Sequence, residues 1–268
     1  MPIPPPSESA TALITGASAG IGEAVARELA SRGHGVTLVA RREDRLRDLA
    51  AELKAERGIR AEPIAADLTD AAARDRLANR IEELGLEVEI LFNNAGFGGS
   101  GHVASSDRER LISMVRVNCE ALLDFQARYI PPMVGRGRGA VINVASTAAF
   151  QPIPGTATYA ATKAFVLSLS EAVHEELKGT GVTVTAVCPG PVKTEFAQAA
   201  GLEQAEDQVP GFIWMSPEEV ARAALGAAEK GKRAIVPGLL NRAGALTGQH
   251  APRAIALPVV KRVWRQAL

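Results

Sequence analysis

Two hydrophobic periods alternate along this chain. Short runs of Val, Ile, Leu and Ala give way, after a turn, to longer stretches whose apolar residues recur at helical spacing. Residues 10–16 (ATALITG) are the first such run, and IGEAVARELASRG follows with Ile21, Val25, Ala26 and Leu29 on one helical face. The pattern then predicts a strand at 34–40, a charged helix over about 43–56 and a third strand at 60–67. Pro63 cannot donate to a neighbouring strand, which places that third strand at or near a sheet edge. A helix over 71–84, a strand at 89–96 and a long helix over 107–129 come next, with Pro131 and Pro132 expected to end the last. Strands at 139–146 and 181–190 flank the helix that carries Tyr159 and runs to about 177. Ser216, Pro217 and Glu219 open a further helix, with Ser as cap and Pro in the first turn, and 233–238 (RAIVPG) is the last strand. Strands and helices alternating in this order predict an α/β fold: βαβ units, right-handed crossovers, and a parallel sheet with helices on both faces.

Composition narrows the possibilities. Thirty Lys and Arg balance thirty Asp and Glu, which argues against chain-wide electrostatic attachment to nucleic acid. Cys119 and Cys188 stand in no CxxC pattern, so a disulfide framework is not expected and a reducing cytoplasm fits. His34, His102, His174 and His250 lack metal-ligand spacing, and no metal site is expected. The opening MPIPPPSESA lacks the basic and apolar regions of a secretory signal, and residues 1–9 read as a short disordered lead. No apolar run reaches membrane-spanning length, so a soluble, cytoplasmic protein is expected.

Candidate chemistry gathers at the C-terminal ends of the predicted strands, the edge where open α/β sheets bind ligands. Gly16, Ser18, Gly20, Ile21 and Gly22 lie between the first strand and the first helix, where glycine lets the backbone approach a pyrophosphate and the helix N-terminus meets its charge. The spacing G-x3-G-x-G is neither the G-x-G-x-x-G fingerprint nor a P-loop, and a tight strand-to-helix connection alone would also use glycine. At the tip of the second strand stand Arg41 and Arg42 in place of the carboxylate that an NAD ribose would need, which suits a 2′-phosphate and NADP. Asp67, with Leu68 beside it, is placed to accept from an adenine amino group, or to cap the next helix. Asn93, Asn94, Ala95 and Gly96 end the fourth strand with small residues that leave room for a ribose.

Tyr159 and Lys163 are four apart on one predicted helix, so both side chains share a face, while Ser146 ends the preceding strand. An ammonium beside a phenol favours the phenolate and brings a poor acid toward working range. A surface Tyr with a solvated Lys one turn away would show the same spacing.

Taken together, TGASAGIG, NNAG, Asn118, Ser146, Tyr159-x-x-x-Lys163 and Pro189-Gly190 resemble the short-chain dehydrogenase/reductase family in order and spacing, over about residues 10–238. That resemblance implies one Rossmann-type doubly wound domain with a mostly parallel seven-stranded sheet. It implies Tyr159 as general acid/base, Ser146 as hydrogen-bond donor to the substrate oxygen, Lys163 on the nicotinamide ribose, and Asn118 holding a water that relays protons to Lys163. Pro189, Gly190, Val192 and Thr194 would place backbone and a hydroxyl near the carboxamide and phosphate, and residues 191–215 would form a variable lid. The implied reaction is NADP(H)-dependent interconversion of a carbonyl and a secondary alcohol, in a homodimer or homotetramer. A 3-oxoacyl-thioester reductase is the alternative among enzymes, and an NADP-binding regulatory protein without turnover the alternative outside them.

Phe196, Phe212, Ile213, Trp214 and Met215 make the lid apolar and point to a hydrophobic carbonyl compound, unless they only anchor the lid to the core. Residues 239–268 form an apolar and basic extension, and no acidic residue follows Glu229 while Lys230, Lys232, Arg233, Arg242, Arg253, Lys261, Arg262 and Arg265 do. An arm on a neighbouring subunit is expected, with Pro252 and Pro258 breaking any long helix; weak contact with an anionic membrane surface is the second reading.

Overall fold

The structure is a computed structural model that describes residues 3–196, 198 and 210–265. Seven strands, β1 (Ala10–Thr15), β2 (Val36–Ala40), β3 (Ala61–Ala65), β4 (Glu87–Asn93), β5 (Gly139–Val144), β6 (Val182–Val187) and β7 (Ala234–Ile235), form one parallel sheet in the order β3-β2-β1-β4-β5-β6-β7. Between them run α1 (Gly20–Ser31), α2 (Glu43–Arg57), α3 (Ala71–Glu83), α4 (Arg108–Val115), a π-helical turn (Arg116–Ala121), α5 (Leu122–Arg136), α6 (Ala157–Glu176) and α7 (Pro217–Glu229). The chain closes with α8 (Leu239–His250) and α9 (Arg253–Arg265). This is the Rossmann-type architecture, and Pro63 does lie on an edge strand, β3.

Alternation along the central strands explains why both faces need helices. Ala12 and Ile14 of β1 join a core under α1, α2 and α7, whereas Leu13 between them joins a second core with α3 and α5. In β4, Ile90 and Phe92 face the first core and Leu91 the second. A strand buried on both sides reads as a continuous apolar run, as these do.

Several expectations need correction. Pro131 and Pro132 do not end a helix; they lie within α5, which continues to Arg136 and stops at Gly137 in the left-handed region (φ 68). Both prolines are exposed, so the carbonyls they leave unpaired can reach water, while buried Tyr129 and Met133 hold the last turns to the sheet. The helix expected over 107–129 is broken by the π-helical turn. The last strand shrinks to two residues. Pro252 separates α8 from α9 as expected, but Pro258 lies within α9. In the lead expected to be disordered, Ile3 packs against the first core and the Ser9 carbonyl accepts from the Glu87 amide.

The order of strands reverses between β1 and β4, and the crevice at that switch point is where such sheets bind ligands. The glycine-rich turn after β1 and the Asn94–Gly96 turn after β4 border it.

Candidate active site

The two turns at the crevice are tied together through Thr15, the first residue of the TGASAGIG motif, to which the sequence alone assigned no role. The buried Thr15 hydroxyl accepts from the amides of Asn94 (3.0 Å) and Ala95 (2.9 Å). The Asn94 amide returns the contact, donating to the carbonyls of Thr15 (3.0 Å) and Gly16 (3.3 Å). This close approach requires glycine: a Cβ on Gly16 (φ +69) would lie 2.7 Å from Asn94 Nδ2, and one on Gly22 would lie 2.3 Å from the Gly16 carbonyl oxygen. Asn94 is therefore a brace for the turn. The consecutive amides of β4 divide by strand alternation, since Asn93 points into the sheet's other face and donates to Asn143, which donates to Ser170.

Helix α1 starts at Gly20, and its N-cap residue, Ala19, offers no side-chain cap. Its first amides and dipole face the crevice, with Ile21 packed on the first core behind them. An anionic group suits that end of the helix.

At the tip of β2, Arg41 is exposed, and Arg42 donates through Nε and Nη2 to the Ser18 hydroxyl at 3.1 and 3.0 Å. The remaining Nη1 of Arg42 meets Glu195 at 2.7 Å, and Arg45 meets the other oxygen of that carboxylate at 2.7 Å. The two guanidiniums hold Glu195 below the usual carboxylate range, Arg45 contributing most. Asp67 accepts from the amide and hydroxyl of Thr69, and the Thr69 amide, above all, depresses its pKa. Leu68 is buried in the second core, and its carbonyl accepts from buried Arg74.

Asn118 sits in the π-helical turn and is 1% exposed. Its oxygen accepts from the Phe97 amide (3.1 Å), and its nitrogen donates to the Phe97 carbonyl (3.1 Å) and the Thr162 hydroxyl (3.0 Å). Thr162, also missed, donates in turn to the Tyr159 carbonyl at 2.8 Å. A Cβ on Gly96 would come within 2.8 Å of the Asn118 oxygen, so the β4 turn packs directly on this network.

Ser146 leaves β5 in extended conformation and caps a 3-10 turn, its hydroxyl accepting from the Ala148 amide at 3.1 Å. Tyr159 and Lys163 rise from the first turns of α6, as the spacing predicts. The Lys163 ammonium donates to the Val144 carbonyl (2.8 Å) and lies 5.8 Å from the centre of the Tyr159 ring. Burial pushes the Tyr159 phenol up to about 12, while a hydrogen bond with the Ser146 side chain works the other way. Burial also lowers Lys163 to about 8. Desolvation thus opposes the expected lowering of Tyr159 and moves the lysine toward neutrality at the same time. The ring of Phe196 rests 5.6 Å from that of Tyr159.

After β6, the Pro189 carbonyl accepts from the Thr147 amide, and Val192 pairs with Met215. The Thr194 hydroxyl accepts from the Phe196 amide at 3.2 Å. Gly190 faces α8: a Cβ there would lie 2.2 Å from Oδ1 of Asn241, whose amide nitrogen donates to the Ile213 carbonyl at 3.3 Å. α8 therefore packs on its own chain beside the site, and Asn241 is a further residue missed. The expected lid, 191–215, is described only in part, since residues 197 and 199–209 lie outside the described residues. Among the described residues, no group of three His, Cys, Asp or Glu gathers as metal ligands, and no helix is long and apolar enough to cross a membrane.

A parallel sheet with a glycine turn at its switch point, and a Tyr–Lys pair at the same edge, defines a Rossmann-type oxidoreductase. Residues 10–205 match the short chain dehydrogenase family, and the chain belongs to that family, whose members use a nicotinamide cofactor. It is 33% identical over 226 residues to a very-long-chain 3-oxoacyl-CoA reductase of Anas platyrhynchos, covering 82% of this chain and 69% of that one. Among solved structures, a short-chain dehydrogenase from Sphingobium yanoikuyae in complex with NADPH is 38% identical, with a TM-score of 0.79 over 89% of this chain and 92% of that one. The bulky-bulky ketone specific alcohol dehydrogenase from Comamonas testosteroni is 31% identical, with a TM-score of 0.76 over 92% and 97% of the two chains.

Proposed function

We propose that this protein is a cytoplasmic NADP(H)-dependent oxidoreductase that interconverts a hydrophobic carbonyl compound and its secondary alcohol, with Tyr159 as general acid/base. The observation that carries this reading is the set of Ser146, Tyr159 and Lys163 at the crevice that the glycine turn borders. The residues fit a dinucleotide: Gly16 and Gly22 sit where a Cβ would collide, the α1 amides lack a side-chain cap, and two arginines stand at the tip of β2. Gly20, Ala95, Gly96, Val192 and Thr194 would border the cofactor, with Asp67 and Leu68 at its adenine end. The cofactor, when bound, supplies or takes the hydride.

The chain's own residues do the rest. Ser146 orients the substrate oxygen, and the Lys163 ammonium favours the phenolate that forms when the Tyr159 phenol, held at about 12 by burial, gives up its proton. An ammonium carries three donors, and the Val144 carbonyl takes one, leaving Lys163 able to hold a ribose. Asn118 ties the Phe97 backbone to Thr162 and thereby to the Tyr159 carbonyl, which fixes the start of α6; the proposed proton relay would run past it. Residues 191–215 would close over the substrate, with Phe196 against Tyr159 as the first apolar contact.

The test is a screen of carbonyl compounds with NADPH and NADH, followed by absorbance of the reduced cofactor. Tyr159→Phe should lower turnover by about 10²–10⁴-fold and leave NADPH binding nearly intact. Turnover retained in that variant would refute the assignment. A 3-oxoacyl-thioester reductase is the second reading, favoured by the likeness to the 3-oxoacyl-CoA reductase. A chain-length series of free ketones against the matching thioesters separates the two.

Exposed Ile112, Val115, Leu123, Val134 and Phe165 on α4, α5 and α6 support a homodimer or homotetramer, to be checked by light scattering. Leu239, 85% exposed, and Leu240 with Arg242 on α8 support weak contact with an anionic membrane surface, to be checked by liposome flotation.

A further inference from the structure

We propose that Glu195 is a selectivity residue for the cofactor's 2′-phosphate: it occupies Arg42 in competition with that phosphate and so weakens NADP(H) binding without touching NAD(H) binding. The proposal rests on the NADP(H) reading above.

The geometry of one guanidinium carries it. Arg42 divides its donors, giving Nε and Nη2 to the Ser18 hydroxyl and Nη1 to Glu195 Oε2 at 2.7 Å. The other oxygen of Glu195 accepts from Arg45 Nη1, also at 2.7 Å. The residue best placed to read a phosphate beside Ser18 thus already has an anionic partner from 153 residues further along the chain. A phosphate arriving at Arg42 either displaces the carboxylate or sits beside a like charge, and both weaken its binding. A ribose with a free 2′-hydroxyl meets neither penalty.

Glu195 also stands at a junction. The preceding Thr194 packs on the glycine turn, its methyl 2.8 Å from where a Cβ of Gly20 would be. The following Phe196 lies against Tyr159. A 2′-phosphate that takes Arg42 away from Glu195 leaves this segment tethered to α2 through Arg45 alone. Glu195 is half exposed in both ion pairs, so its removal perturbs binding more than folding.

Calorimetric titration of the full chain with 2′,5′-ADP and 5′-AMP tests this without turnover, on the wild type, Glu195→Gln and Glu195→Ala. Both variants should bind 2′,5′-ADP about three- to tenfold more tightly at low ionic strength, with 5′-AMP unchanged and the difference shrinking in high salt. Unchanged or weaker 2′,5′-ADP binding, or an equal gain for both nucleotides, overturns the proposal. A wild type and variants that all bind the two nucleotides equally overturn the NADP(H) reading and this proposal with it. A wild type that prefers 2′,5′-ADP while neither variant shifts that preference overturns this proposal alone.

Discussion

The ammonium of Lys163 donates to the Val144 carbonyl at 2.8 Å, at a position only 5% exposed, so a charge that chemistry needs is held where burial disfavours it. Its pKa falls from 10.5 to about 8, which makes the lysine a cost to the fold at neutral pH. Below about pH 8 both folded and unfolded chains carry the proton and the penalty is complete. As pH rises toward 10.5 the unfolded chain keeps the proton that the folded chain has lost, and the penalty fades. Lys163→Met should therefore abolish turnover yet stabilise the protein by about 1–3 kcal/mol at pH 7, with a smaller gain at pH 10. Urea melts at the two pH values check this, and a variant less stable than wild type at pH 7 would contradict it.

The same two shifts predict the pH profile of carbonyl reduction. Tyr159, with its pKa near 12, keeps its proton across the working range, whereas Lys163 loses its charge above about 8. Reduction should decline above about pH 8 as the ammonium that stabilises the Tyr159 phenolate, left when the substrate oxygen takes the proton, is neutralised. Initial rates from pH 6 to 10 at saturating cofactor, in roughly unit steps, measure it; a rate rising through that interval would exclude the lysine from the acid step.

Asn118 satisfies the Phe97 amide and carbonyl and the Thr162 hydroxyl while buried. Asn118→Ala leaves those groups to find other partners and should cost about 1–3 kcal/mol. Because Thr162 anchors to the Tyr159 carbonyl, turnover should fall by more than the lost stability explains at a temperature where the variant is fully folded. Circular dichroism melts paired with kinetics separate the two effects.

Gly190 and Asn241 meet across the gap between the β6 loop and α8, and a Cβ on the glycine would overlap the amide head. Gly190→Ala should destabilise by about 1–3 kcal/mol through overpacking. Asn241→Ala in the same chain removes the obstructing atoms and should recover much of that loss, a coupling that a double-mutant cycle reads. Additive effects would show that the two do not share space in solution.

What the sequence by itself determined is the alternation of elements and the local pairs that depend on it. The strand and helix order follows from hydrophobic period, and the Tyr159–Lys163 pairing follows from helical spacing, because both are properties of neighbours in sequence. The edge position of β3 was legible from Pro63, and the capped start of α7 from Ser216 and Glu219, whose reciprocal capping bonds are present. Only tertiary structure decided which long-range partners these residues meet. Thr15 as the brace of two turns, Glu195 on Arg42, and Asn241 against Gly190 each join segments far apart in the chain, so no local period records them. Pro131 and Pro132 lie inside a helix because an exposed face and buried anchors on either side outweigh their local cost. The pKa of Tyr159 moved opposite to the expectation from spacing alone, and that of Lys163 fell, since spacing sets which charges are close while burial sets what each charge costs.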